Sequence, residues 1–233
     1  MLVIAHRGNS AVAPENTLAA IRSAIELGVT TVEVDVRRTR DGELVLLHDR
    51  FVRRTTSGRG AIDRLTWDEV RRLDAGNAGF PGERIPRLVE ALALVVASAA
   101  TLVLDVKSPG RGPGILCDLP RTLDAAGARQ RVVVSSFDLA WLREFGRAAP
   151  DVRLAELRLW PPPWARFHPQ AEIVSVFWSS VFVDPGLVDR IHAGGRRLWA
   201  WTVEDQRLMR RLQRRGVDGV ITSRPAACRS ARG

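Results

Sequence analysis

Glu33 and Asp35 stand two residues apart in the run TVEVDV, and the same spacing recurs at Asp105 and Lys107 and at Trp199 and Trp201. In an extended strand, residues two apart point to one face. His6 and Arg7 end a short apolar run at the start of the chain, and His48 ends another. Three carboxylates gathered at one place repel: two unit charges about 4 Å apart cost roughly 4 kcal/mol at an effective dielectric near 20. A hard divalent cation with oxygen ligands, Ca²⁺ or Mg²⁺, turns that repulsion into binding. The two histidines supply acid–base groups near neutral pH. Arg7 and Lys107 supply donors for phosphate oxygens. Together these groups describe phosphodiester cleavage. Singly, each has a plainer explanation: a salt-bridged E-x-D pair, a satisfied core histidine at position 6, a lysine that neutralises Asp105. The reading rests on their joint placement. His168, in a loop, and His192, on a helix, have no such company and read as structural.

The elements that must gather these side chains follow from the hydrophobic pattern. Short β-branched runs are predicted as strands at Leu2–Ala5, Thr31–Val36, Glu43–Leu47, Thr101–Val106, Arg131–Ser135, Arg153–Leu157, Glu172–Phe177, Arg197–Thr202 and Gly219–Thr222. Amphipathic stretches between them predict helices at Asn16–Leu27, Thr66–Leu73, Arg87–Ala97, Leu139–Ala148, Pro185–Ala193 and Asp205–Arg215. Nine strands exceed an eight-stranded barrel by one. The second and third are joined by only Arg37–Gly42, too short for a parallel crossover. Asp41-Gly42 is a hairpin-turn signal. The third strand therefore folds back on an extension of the second, with His48 expected opposite Asp35. Without that arm, eight parallel strands remain, a TIM-type (β/α)8 barrel with its chemistry at the strands' C-terminal ends.

Composition agrees with one catalytic barrel domain over residues 1–233: 45% hydrophobic and 26% charged residues are ordinary for a globular chain. Cys117 and Cys228 lack any metal-site or disulfide spacing. The net charge is +9, yet no block of like charges occurs, and 34 of the 35 basic residues are arginine. That substitution across a whole chain reads as coding bias, so no nucleic-acid partner is expected. Neither a secretory signal nor a transmembrane segment is expected, and a cytoplasmic location follows. Residues 50–86 form a long excursion expected to make a small inserted cap near the mouth. The stretch Trp160-Pro-Pro-Pro-Trp164 follows a strand on the same face. It reads first as a buried loop plug, and second as a contact for a leaving group or a lipid surface.

These residues resemble the glycerophosphodiester phosphodiesterase family over nearly the whole chain, from His6 to Pro225. The matching segments include HRG at 6–8, PENT at 14–17, EVDV at 33–36, DGELVLLHD at 41–49, SSF at 135–137, WTV at 201–203 and GVDGVIT at 216–222. The resemblance implies a divalent-metal enzyme that hydrolyses small-molecule glycerophosphodiesters to sn-glycerol 3-phosphate and an alcohol. It implies Glu33, Asp35 and Asp105 as metal ligands, His6 and His48 as the catalytic pair, and Arg7 and Lys107 as phosphate-binding groups. Asn16 and Trp201 take places in the substrate pocket, Trp201 on its glycerol side. Three positions depart from the family pattern. Asp105 replaces the usual Glu and, being one methylene shorter, is expected to reach the metal through water or a strand adjustment. Glu204 stands for the usual Asn and Ser223 for the usual Asp; both read as peripheral. Two other readings stay open: a phospholipase- or lyase-type relative that forms a cyclic phosphate, and a non-catalytic barrel that binds anionic ligands.

Overall fold

The computed structural model describes residues 1–107 and 114–227. Eight parallel strands close on themselves: β1 (Leu2–His6), β2 (Thr31–Arg38), β4 (Thr101–Val106), β5 (Val132–Ser136), β6 (Arg153–Arg158), β7 (Ala171–Phe177), β8 (Arg197–Trp201) and β9 (Gly219–Thr222). Closure comes from β1, which pairs in parallel with both β2 and β9. The ninth strand, β3 (Leu44–Leu46), lies antiparallel on β2 outside the ring. The expected barrel is therefore present.

Strand alternation sorts the side chains. Val32, Val34 and Val36 of β2 and Leu102, Leu104 and Val106 of β4 join the outer core under the helices. The intervening positions face the barrel axis, where Ile4, Val103, Val133, Ala155, Ile173, Trp199 and Ile221 fill the interior. Along this inner column the register pairs His6 with Glu33, Asp35 with Asp105, and Asp105 with Ser135. Packing of the strand interiors thus forces the polar residues into neighbouring places at one rim.

The helices are α1 (Leu18–Glu26), α2 (Trp67–Val70), α3 (Leu88–Val96), α4 (Gly114–Ala125), α5 (Leu139–Ala148), α6 (Ser180–Val183), α7 (Leu187–Ala193) and α8 (Gln206–Arg214). The sequence pattern misses α4, which follows a Gly/Pro-rich stretch and contains Pro120. It also misses the single turn α6, and it draws α2 too long. A capping box between Thr66 and Glu69 starts α2, but the chain turns away after Val70.

The hairpin register differs from expectation by one residue. Arg37 pairs with Val45 and Val36 with Leu46, and the Leu47 amide donates to the Asp35 carbonyl, so Leu47, not His48, lies opposite Asp35. The cause is a wider turn. Thr39 N–H donates to the Glu43 carbonyl, Gly42 takes φ +102°, and residues 40–42 form a three-residue loop in place of a two-residue turn centred on Asp41-Gly42. The chain then bends at residues 48–50.

Residues 50–86 pack a small core of Val52, Ile62, Val70, Ala75 and Ile85 onto Val45 and Leu47 of the hairpin arm. The loop after β6 is no buried plug: Trp160 is 59% and Trp164 82% exposed. Cys117 is an exposed free cysteine, and Cys228 lies outside the described residues. Among the described residues no helix is long and apolar enough to cross a membrane.

Candidate active site

At the end of β1 the chain turns sharply. Arg7 has φ +55° and Gly8 φ +82°; a Cβ on Gly8 would lie 2.6 Å from Ala20, so the close approach of α1 as well as the conformation demands glycine. This turn aims the Arg7 amide at Glu33 Oε2, 2.9 Å away. It also carries the guanidinium to Asp35 Oδ2 at 3.1 Å and Glu15 Oε1 at 2.8 Å. The PENT segment makes the second turn. Asn16 adopts φ +58°, a conformation asparagine tolerates, and Thr17 caps α1 by accepting from Ala20 N–H.

Asn16, expected in the pocket and in support of the site, supports it from beneath and is not among the residues that line the cavity. It is 3% exposed and clamps Asp35 twice: its Nδ2 donates to Oδ2 at 2.8 Å, and its Oδ1 accepts from the Asp35 amide at 3.0 Å. Its place beneath the site, not in its wall, is set by the turn before α1.

A cavity of about 170 Å³ opens at the barrel's C-terminal end, lined by His6, Arg7, Glu33, His48, Asp105, Lys107 and Trp201 among others. Asp35 sits just behind this wall. Oxygens of Glu33, Asp35 and Asp105 lie within 4.8 Å of one another, all three residues buried. Burial raises the Glu33 pKa well above the carboxylate range, reinforced by Asp35 and Asp105. Burial also raises Asp105, with Lys107 opposing. For Asp35 the burial effect is outweighed by Lys107 and Arg7, which hold it low. Lys107 Nζ meets Asp35 Oδ1 at 3.0 Å and Asp105 Oδ2 at 2.5 Å. Burial opposes its charge, but those two carboxylates prevail and raise its pKa.

The donor set fits a hard divalent cation. Three carboxylates supply oxygen only, and Asp105 Oδ1 is buried without a hydrogen-bond partner. A group like Glu33, raised by burial and like charge, ionises most readily when a cation arrives. The shorter Asp105 side chain keeps an oxygen within this cluster, paired in register with Asp35.

The imidazole of His6 lies 4.0 Å from Glu33 through Nε2. Burial, helped by Arg7, lowers its pKa to about 4, so it is neutral at pH 7. Its Nδ1 is 3.3 Å from Ser223 Oγ. Ser223 is therefore not peripheral, and neither is Glu204, whose carboxylate accepts from Ser223 N–H at 2.9 Å and from Thr222 Oγ1 at 3.3 Å. The tight turn after β9 brings residue 223 back over β1, a contact 217 positions apart in sequence.

His48 stands on a different support. Its Nδ1 is 2.7 Å from Asp49 Oδ1, and Arg37 Nε donates to its carbonyl at 2.8 Å. Asp49 binds Arg54 at 2.6 Å, Arg54 binds Glu15 at 2.7 Å, and Glu15 binds Arg7. The hydrogen bond from Arg54 pins the Asp49 carboxylate below its ordinary range, against burial, with His48 adding to the effect. Sequence reasoning missed Glu15, Asp49 and Arg54. Glu15 lies inside PENT and Asp49 directly after His48, so the motifs themselves were the available signal. His168 and His192 stay away from the cavity: His168 is buried beside Glu156, and His192 binds Asp218 at 2.8 Å.

Comparison with known proteins shows the family. A profile of the Glycerophosphoryl diester phosphodiesterase family matches residues 6–227. A glycerophosphodiester phosphodiesterase of Caldanaerobacter subterraneus subsp. tengcongensis is 37% identical over 231 residues, covering 96% of this chain and 94% of that protein. One from Bacillus altitudinis is 29% identical, covering 96% and 94% respectively. Among solved structures, an Oleispira antarctica phosphodiesterase in complex with the product sn-glycerol-3-phosphate superposes with TM-score 0.90 at 30% identity, over 99% of this chain and 96% of that one.

Proposed function

We propose, from the premise that this chain belongs to the glycerophosphoryl diester phosphodiesterase family, that it hydrolyses glycerophosphodiesters to sn-glycerol 3-phosphate and an alcohol with a divalent cation at Glu33, Asp35 and Asp105. The observation that carries the reading is the meeting of Glu33, Asp105, His6, His48, Arg7 and Lys107 at one cavity, with the buried Asp35 grouped with the other two carboxylates. Glu33, Asp35 and Asp105 would hold the cation, Ca²⁺ or Mg²⁺, which when bound would supply Lewis-acid stabilisation worth several kcal/mol. Arg7 and Lys107 balance the charge that builds on the phosphoryl group. His6, neutral at pH 7, is competent to accept a proton at the cavity. Asp49 against Nδ1 of His48 leaves Nε2 as the nitrogen for proton transfer.

The cavity also suits a polyol. Trp199 Nε1, Trp201 Nε1 and Ser175 Oγ are buried polar atoms without protein partners, and all three residues line it. Hydroxyl groups of a bound glycerol moiety satisfy such atoms. Residues 50–86 act as a cap on the His48 side, where Arg54 ties Asp49 to Glu15; with them, residues 1–233 form one catalytic domain.

The test is a panel of glycerophosphodiesters incubated with Ca²⁺ or Mg²⁺ and with EDTA, followed by phosphorus NMR. The expected result is a phosphomonoester that appears with the cation and vanishes with the chelator. A cyclic phosphate as final product would assign the chain to the lyase type. No turnover of any diester would favour a binding barrel.

A further inference from the structure

The surface around the cavity mouth is unlike the rest of the molecule. Nine large apolar side chains are exposed among the described residues, and six of them follow the C-terminal ends of barrel strands: Val12, Phe137, Leu159, Trp160, Trp164 and Val183. Trp164 is 82% and Val183 77% exposed. The loops after β6 and β7 are stapled together, since Ser180 Oγ donates to the Leu159 carbonyl at 2.7 Å and Trp160 Nε1 to Ser179 Oγ at 3.0 Å. From Trp160 the rings run inward, edge to face, to Phe177 at 5.8 Å and on to Trp201 at 5.6 Å, which lines the cavity. An apolar rim thus continues into the catalytic pocket.

Exposed apolar patches of this kind mark an interaction site. Charge chooses the occupant. Arg158 is paired with Glu156 at 3.3 Å, but Arg166 in the loop after β6 is exposed, and the whole chain carries +9. Tryptophans beside arginines suit the boundary of a bilayer, where indole rings sit at the headgroup level and basic groups meet phosphates. A lipid face brings glycerol-phosphate chemistry to the cavity, an argument that rests on the phosphodiesterase reading above.

We propose that the catalytic face docks on anionic lipid surfaces, with Trp160, Trp164 and Val183 entering the headgroup layer and Arg166 against the lipid phosphates. The test is co-sedimentation with phosphatidylglycerol-containing vesicles and with phosphatidylcholine vesicles, for the wild type and a Trp164→Ser, Val183→Ser double variant. The wild type is expected to sediment with the anionic vesicles and much less with the zwitterionic ones. The variant should bind about tenfold more weakly, equivalent to 1.4 kcal/mol, while turning over a soluble glycerophosphodiester at the wild-type rate. Three results overturn the proposal: no wild-type binding to anionic vesicles, equal binding by the variant, or self-association that the variant abolishes without any vesicle binding. Because soluble turnover is measured alongside, failure of docking is distinct from failure of the phosphodiesterase reading.

Discussion

His6 rides on β1, hydrogen-bonded between β2 and β9, with 19% of its side chain exposed, whereas His48 lies beyond the end of β3 with 35% exposed. Sheet register places the first. Its neighbours are backbone-fixed, and burial keeps it neutral. The second is placed by a hairpin turn and held by Asp49, Arg54 and Glu15, groups partly open to water. Exposed ion pairs are individually weak and screened by salt. One half of the proposed acid–base pair is therefore built into the core, and the other is held from the surface.

The largest expected effect treats both halves alike. His6→Ala and His48→Ala should each lower kcat by about 10²–10⁴-fold, with circular dichroism unchanged. A His48→Ala enzyme that keeps wild-type turnover would remove the surface half from the chemistry.

Glu33→Gln sharpens the core half. Below about pH 4.5 Glu33 is protonated in the folded and the unfolded chain. As pH rises, the unfolded chain loses the proton first because the folded pKa is raised, so the metal-free wild type loses stability through that window. In EDTA, Glu33→Gln should therefore melt higher than the wild type at pH 7 and equally near pH 4. Saturating Ca²⁺ or Mg²⁺ should raise the wild-type Tm and leave the variant's unchanged. Calorimetry across pH checks both.

The smallest effects belong to the surface half. Asp49→Asn should lower kcat by about 10–100-fold with little change in KM, as expected for loss of a partner that orients an imidazole. Arg54→Ala should cost only about threefold at low salt and nothing near 0.5 M, since the pair it leaves is screened. Steady-state kinetics at two ionic strengths separates the two.

Much of the barrel was legible because its signals are local. Alternation placed Glu33 with Asp35 and Asp105 with Lys107 on the inner face, and strand count with the short Arg37–Gly42 link implied the hairpin arm. Helix α4 was not, because Pro120 and the glycines before it imitate a loop. The register of His48 was misread because Asp41-Gly42 also suits a three-residue loop, and one residue changes every partner in a ladder.

Strand count and the short Arg37–Gly42 link were enough to imply the barrel, and two-residue spacing, set by strand geometry, was enough to put Glu33 with Asp35 on one face. Which oxygen meets which cation, the descent of Asn16 beneath Asp35, the contact of Ser223 with His6 and the outward face of Trp164 were decided only by the closed ring. Closure joins β9 to β1 and packs loops from opposite ends of the chain over one cavity, and pairings so distant in sequence leave no periodic trace in it.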